Sequence, residues 1–127
     1  MPLTSPRFAL DPRLQNAAEN NPPMRFGERG DSVATVQRSL VDLGYFMPIT
    51  TKGGRSWPDG IFGAETKRVV GQFQMDNGLD SDGVVGRHTM ARLDQLIDAK
   101  MTAELAKMMM ALTLPPRLGF RTMNADS

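Results

Sequence analysis

A chain of 127 residues has room for one domain and a modest core. Its 15 basic and 14 acidic side chains are interspersed and nearly cancel, which argues against nucleic acid as the main partner, since that would call for a basic stripe. The absence of cysteine excludes disulfides, thiolate metal sites and cysteine nucleophiles. No run approaches the ~18 apolar residues of a membrane span. Residues 1–20 lack the basic-flanked apolar stretch of a secretory signal. A chain without a visible Sec signal either works inside the cell or leaves by another route.

Taken in order, residues 1–24 hold five of the nine prolines and little periodicity. They read as an extended arm, relieved by a short helix over Asp11 to Glu19 that Asp11 caps and Pro12 opens. From Phe26 the texture changes. Gly27-Glu-Arg-Gly30 is a turn, and Asp31 or Ser32 is a good N-cap. Val33, Val36, Gln37, Leu40 and Leu43 then follow helical spacing up to Gly44, where a left-handed residue belongs. Tyr45 to Pro58 is a long loop with the only Trp and the pair Lys52 and Arg55. A second helix begins near Ala64, with Val69, Val70 and Phe73 inward, and ends at Asn77-Gly78. A third begins at Arg87, with Met90, Leu93, Leu96 and Ile97 inward. Its pattern continues through Met101, Leu105, Met108, Met109 and Leu112 until Thr113-Leu-Pro-Pro, about 25 residues or roughly 38 Å in all. That is about twice the length of either helix before it.

Each of the last two helices is entered through the same frame, Asp-Gly-x-x-Gly-x-x-Thr. One copy runs from Asp59 to Thr66 and the other from Asp82 to Thr89. A turn-forming Asp-Gly pair, two apolar residues and a second Gly make a compact entry into a helix. Repetition of that unit points to a small helical module whose loops set the angles between helices.

Residues 26–96 resemble the peptidoglycan-binding domain fused to many cell-wall hydrolases, phage endolysins and matrix metalloproteases. The matching text is Gly27-Glu-Arg-Gly30-Asp31, Val33, Val36-Gln37, Leu40, Leu43-Gly44-Tyr45, the two frames, Val69-Val70-Gly-Gln-Phe73-Gln74, Asn77-Gly78-Leu79 and Leu93. The resemblance implies an all-α, compact three-helix bundle with an internal repeat. Here the third helix is extended and an N-terminal arm and a short Pro-containing tail are added. The expected division is an arm over 1–24, the three-helix domain over 25–98, and a helix extension and tail over 99–127. The implied function is non-catalytic binding of peptidoglycan, anchoring or targeting an attached partner or assembly to the bacterial wall. The alternative is a structural or adaptor subunit of a phage-tail-like or contractile injection assembly. The expected setting is accordingly the cell wall or periplasm, or a phage-like particle. No cofactor or metal is called for.

Peptidoglycan offers hydroxyls, carboxylates and sometimes an amine, so a site for it wants an aromatic platform, a cation and amide-type partners. Tyr45, Arg55, Trp57 and Asp59 supply these within one segment, and Gln37 and Gln74 lie on neighbouring helices. The competing reading makes the loop a solvated one whose Trp caps the core, and has each Gln reach a buried loop carbonyl. Thr66 and Thr89 read as first-turn hydroxyls that satisfy a free N–H. Catalysis finds no support. The lone His88 makes no metal site, no hydrolase motif occurs, and Asp59 and Asp82 stand where Asp forms turns. The Met101, Leu105, Met108, Met109 and Leu112 stripe wants covering, by the arm or by a partner, and a protein partner or a second copy of the chain is expected to bind through the N-terminal arm and the C-terminal helix.

Overall fold

The computed structural model describes residues 2–51 and 58–113, the last two by their backbone only. Five helices are present among them. They are α1 (Pro6–Ala9), α2 (Pro12–Ala17), α3 (Asp31–Asp42), α4 (Ala64–Asp76) and α5 (Arg87–Thr113). The three longer helices are those expected from periodicity, and α5 runs at full length. Antiparallel bridges at Met24–Val85 and Arg29–Ile61 tie the turns between helices together.

The helix ends repeat as the helix entries do. Gly44 and Gly78, at φ 101° and 70°, follow the last turns of α3 and α4. Tyr45 N–H bonds Leu40 C=O at 3.0 Å, and Leu79 N–H bonds Gln74 C=O at 2.8 Å. Both are Schellman endings, which need a residue at positive φ and therefore select Gly. The start of α3 departs from expectation. Its N-cap is Gly30, with no side-chain cap. Ser32 donates instead to the Asp11 carboxylate at 2.9 and 3.0 Å.

The arm is not extended. Beyond the short helix that Asp11 caps through Leu14 N–H at 3.2 Å, residues 6–9 are also helical. Leu3, Phe8, Leu14, Ala17, Ala18 and Met24 are buried in the same cluster as Val36, Leu40, Phe73 and Leu93. Two segments of four and six residues are too short to show a helical period, and prolines punctuate them. What orders them is burial of apolar surface, at about 1.5–3 kcal/mol for a fully buried Leu, Phe or Met side chain.

Polar contacts latch the same segment to distant parts of the chain. The Asp94 carboxylate, 8% exposed on α5, accepts from Ser5 N–H at 2.7 Å and from Thr4 N–H and Oγ1. Arg13 grips Glu28 with two bonds of 2.7 Å and also donates to the carbonyls of Pro22 and Pro23. Asn20 Oδ1 accepts from Arg87 N–H at 2.8 Å and so caps α5 from another part of the chain. A Cβ on Gly86 would stand 2.5 Å from that oxygen, which explains the glycine there.

Met90, Leu93 and Ile97 of α5 are buried, and Met101 is half-buried at the edge of the core. From Thr102 to Ala111 every residue is exposed. Leu105, Met108 and Met109 are 57%, 62% and 56% exposed, so the arm, which packs on the first half of α5, does not cover them. The side chain of Leu112 lies outside the described residues.

Candidate functional site

The two repeated frames fold into matching hydrogen-bond networks. In the first, Gln37 Nε2 donates to Ile61 C=O and Thr66 Oγ1 at 2.9 Å each and to Asp59 Oδ1 at 3.3 Å, while Gly60 N–H donates to Gln37 Oε1 at 2.9 Å. In the second, Gln74 Nε2 donates to Val84 C=O and Thr89 Oγ1 at 2.9 Å each and to Asp82 Oδ1 at 3.0 Å, while Gly83 N–H donates to Gln74 Oε1 at 3.0 Å. Asp59 and Asp82 close their own turns by accepting from Ile61 and Val84 N–H at 2.9 Å. Each Gln thus satisfies the buried polar atoms of the loop that enters the next helix.

This geometry decides between the sequence readings, correcting those that gave the glutamines to a ligand and the threonines to helix caps. Gln37 and Gln74 are 0% and 1% exposed, and both ends of each amide bond within the protein. They reach loop carbonyls and present nothing to a ligand. The hydroxyls of Thr66 and Thr89 accept from those glutamines instead of capping their helices. The Oδ1 atoms of Asp59 and Asp82 are engaged inside the loops, a poor arrangement for a pair of acid and base carboxyls. His88 is exposed.

The cluster expected around the long loop is not assembled as one site. Tyr45 packs edge-on to Phe73, with ring centroids 6.0 Å apart, and donates to Asp76 Oδ2 at 2.6 Å. Asp76 ends α4 whereas Asp59 precedes its start, so roughly 18 Å of helix separates the two ends. Arg55 and Trp57 lie outside the described residues. Glu65 ties the remainder of the loop down by accepting from Thr50 and Ile49 N–H at 2.7 and 3.1 Å. Burial works to raise its carboxyl, but those bonds, with the Thr50 hydroxyl and nearby Arg68, hold it below the ordinary value.

Burial pushes the Tyr45 phenol up to about 12, and its bond to Asp76 adds to the shift. A phenol raised in the folded state contributes stability fully below its free value of 10.0 and loses it as pH rises through 12. Because the chain has 1 Tyr and its Trp does not ionise, the alkaline change in near-ultraviolet absorbance follows this group alone. The expected titration midpoint is about 12, falling on Asp76→Asn, with thermal stability declining between pH 10.0 and 12. A midpoint at the free-tyrosine value would refute the assignment.

A groove that the sequence did not announce runs along the outer face of α4. It holds about 610 Å³ between α4 and the loop over Ser81–Gly83. Lys67, Arg68 and Gln72 line one side, and Phe26 and Met75, 59% and 64% exposed, supply apolar surface. Loop and helix meet closely. Ser81 Oγ donates to Gly71 C=O at 2.9 Å, and a Cβ on Gly83 would lie 2.8 Å from Lys67 Cγ. No ion pair joins Lys67 or Arg68 to a described residue. Asp82 shares the rim, with Oδ1 engaged inward. The sequence signal was the pair Lys67-Arg68 on a helix, which reads as an ordinary solvated face. A second hollow of about 670 Å³ borders Asn20, Asp80, Arg87 and His88 and has mixed charge.

Among the described residues no three His, Asp or Glu side chains gather as a metal site. Residues 29–93 match the family model of the peptidoglycan binding domain, just over half of the chain. The chain belongs to the peptidoglycan-binding domain family. The amidase CwlL of Bacillus licheniformis, an N-acetylmuramoyl-L-alanine amidase, is 37% identical over 70 residues, 54% of this chain and 19% of the amidase. The N-acetylmuramoyl-L-alanine amidase CwlM of Mycobacterium tuberculosis is 36% identical over 64 residues, 50% of this chain and 14% of that one. A crystal structure of a peptidoglycan-binding protein from Clostridioides difficile, in complex with glutamine hydroxamate, superposes with a TM-score of 0.52 at 32% identity. It covers 61% of this chain and 44% of that one. This peptidoglycan-binding domain therefore spans less than a fifth of each amidase it matches. Both Gln networks fall within the matched residues.

Proposed function

We propose that this chain is a non-catalytic module that grips peptidoglycan and so anchors or targets an attached partner or assembly to the bacterial cell wall. The match to the peptidoglycan-binding family over residues 29–93 carries the reading. The small share of each amidase that aligns supports treating the common segment as a wall-binding part and not the hydrolytic one. Engagement of Asp59 and Asp82 in turn geometry points the same way. The site of action is the cell wall, and no described helix is long and apolar enough to cross a membrane.

The relatives favour a wall-binding role over an adaptor in a phage-tail-like or contractile injection assembly. A protein partner has one observation on its side, the exposed Leu105 and Met108 of α5. The arm spends most of its apolar side chains on the core, with Leu10 the exposed exception, which leaves α5 with the longer exposed apolar stripe.

Cosedimentation with purified, teichoic-acid-free sacculi tests the proposal. The chain is expected in the pellet at low and moderate salt. Recovery in the supernatant, while a known wall binder pellets, would overturn the reading.

A further inference from the structure

We infer that the groove between α4 and the Ser81–Gly83 loop is where the wall is held, and that it takes an extended peptide ending in a free carboxylate, as the stem peptides of peptidoglycan do. The inference rests on the wall-binding reading and goes beyond it by naming the surface and the chemical group recognised.

Charge is the first argument. Lys67 and Arg68 are adjacent and exposed, both line the groove, and neither is in an ion pair with a described residue, though Arg68 lies near enough to Glu65 to act on its carboxyl. Structural arginines of this fold are paired, as Arg7 is with Asp42 at 2.7 Å and Arg13 with Glu28 at 2.7 Å. A guanidinium offers two parallel donors to a carboxylate and an ammonium adds a mobile one. The start of α4, where Ala64 lines the groove, carries the positive end of a helix dipole that favours the same ligand charge.

Shape is the second. Gly71 and Gly83 remove side chains where helix and loop approach, and Ser81 holds that approach through its bond to Gly71. The result is an open surface groove and not a closed cavity, which leaves room for an extended chain. Phe26 and Met75 offer apolar contact to the methyl groups of alanyl residues.

The internal repeat supplies the third argument. Aligning Gln37 with Gln74 places Gly30 and Asp31 where Lys67 and Arg68 stand. Gly60 there approaches Gly30 C=O and Ala34 Cβ, as Gly83 approaches Lys67. The two halves therefore share the close approach that shapes the groove but not the charge. One half is cationic and the other carries an acid.

The test uses the full chain, sacculi and a soluble disaccharide-tetrapeptide, the last also in C-terminally amidated form. Lys67→Gln with Arg68→Gln keeps the helix-forming stems and removes both charges. Arg87→Gln with Lys107→Gln removes the same charge elsewhere. We expect the first pair to weaken sacculus binding by about tenfold or more and the second to leave it near wild type. The soluble muropeptide should shift the amide signals of Gly71, Ser81 and Gly83, and its amidated form should do so only at higher concentration. Unchanged binding by the first pair, equal losses for both pairs, or shifts confined to other residues would each overturn the assignment. Failure of the wild type to sediment would overturn the wall-binding reading itself. In that case groove shifts with the soluble muropeptide would still support the site, and their absence would sink it too.

Discussion

Deleting residues 2–23 is expected to leave a chain that no longer unfolds in a cooperative transition. The deletion removes Leu3, Phe8 and Leu14, which are 5%, 0% and 0% exposed, and uncovers the buried side chains packed against them. At about 1.5–3 kcal/mol each, these three supply roughly 5–9 kcal/mol of apolar burial. That is comparable to the whole stability of a domain, about 5–15 kcal/mol. Lost with them are the bonds of Asp94 to residues 4 and 5 and the Asn20 cap on α5. Circular dichroism during urea unfolding reads the outcome. A sharp transition with an unchanged midpoint would show that the segment is an appendage after all.

The second large effect is expected at the two glutamines. Gln37→Ala strands Gly60 N–H, takes a donor from Ile61 C=O and from the Thr66 hydroxyl, and leaves a void where a fully buried amide stood, although Ile61 C=O keeps its bond from Gly63 N–H. A buried donor or acceptor left unsatisfied costs about 1–3 kcal/mol, and some relaxation toward solvent will recover part of the sum. The expected loss is about 3 kcal/mol. Gln74→Ala, which strands Gly83 N–H, Val84 C=O and Thr89, should cost a similar amount. Chemical denaturation of both variants provides the measure. A loss below about 1 kcal/mol at either position would mean that its network is not what holds the loop.

These two experiments separate what could be read along the chain from what could not. The Asp-Gly-x-x-Gly-x-x-Thr frame was legible because turn chemistry and helix entry are local, and both copies fold as matching units. The ends of α3 and α4 were legible for the same reason, through Gly44 and Gly78. In the arm the short helix after Asp11 was legible from its cap and from Pro12, but the helix over Pro6–Ala9 and the burial of the segment were not, since Phe8, Leu14 and Met24 have no period to display and pack against partners far away in sequence. The candidate site was the least legible part. Tyr45 and Asp59 are near in sequence but are drawn to opposite ends of α4 by Asp76 and Gln37. The groove forms where Gly71 meets Ser81 and Gly83 meets Lys67, and no spacing rule links the helix to that loop. Arg55 and Trp57 lie outside the described residues.

The latch between Asp94 and residues 4 and 5 has a further consequence, which concerns the folding search. It joins positions 89 and 90 residues apart in an otherwise helical protein. Helical chains owe their usual speed to contacts between near neighbours, and folding slows as the mean separation of contacts grows. The equilibrium cost of closing so long a span is modest, because closure entropy rises only with the logarithm of its length, about 0.6 kcal/mol per doubling. A long closure of this kind therefore weighs on the rate of assembly far more than on the final stability, and gives a helical fold some of the kinetic character of a sheet.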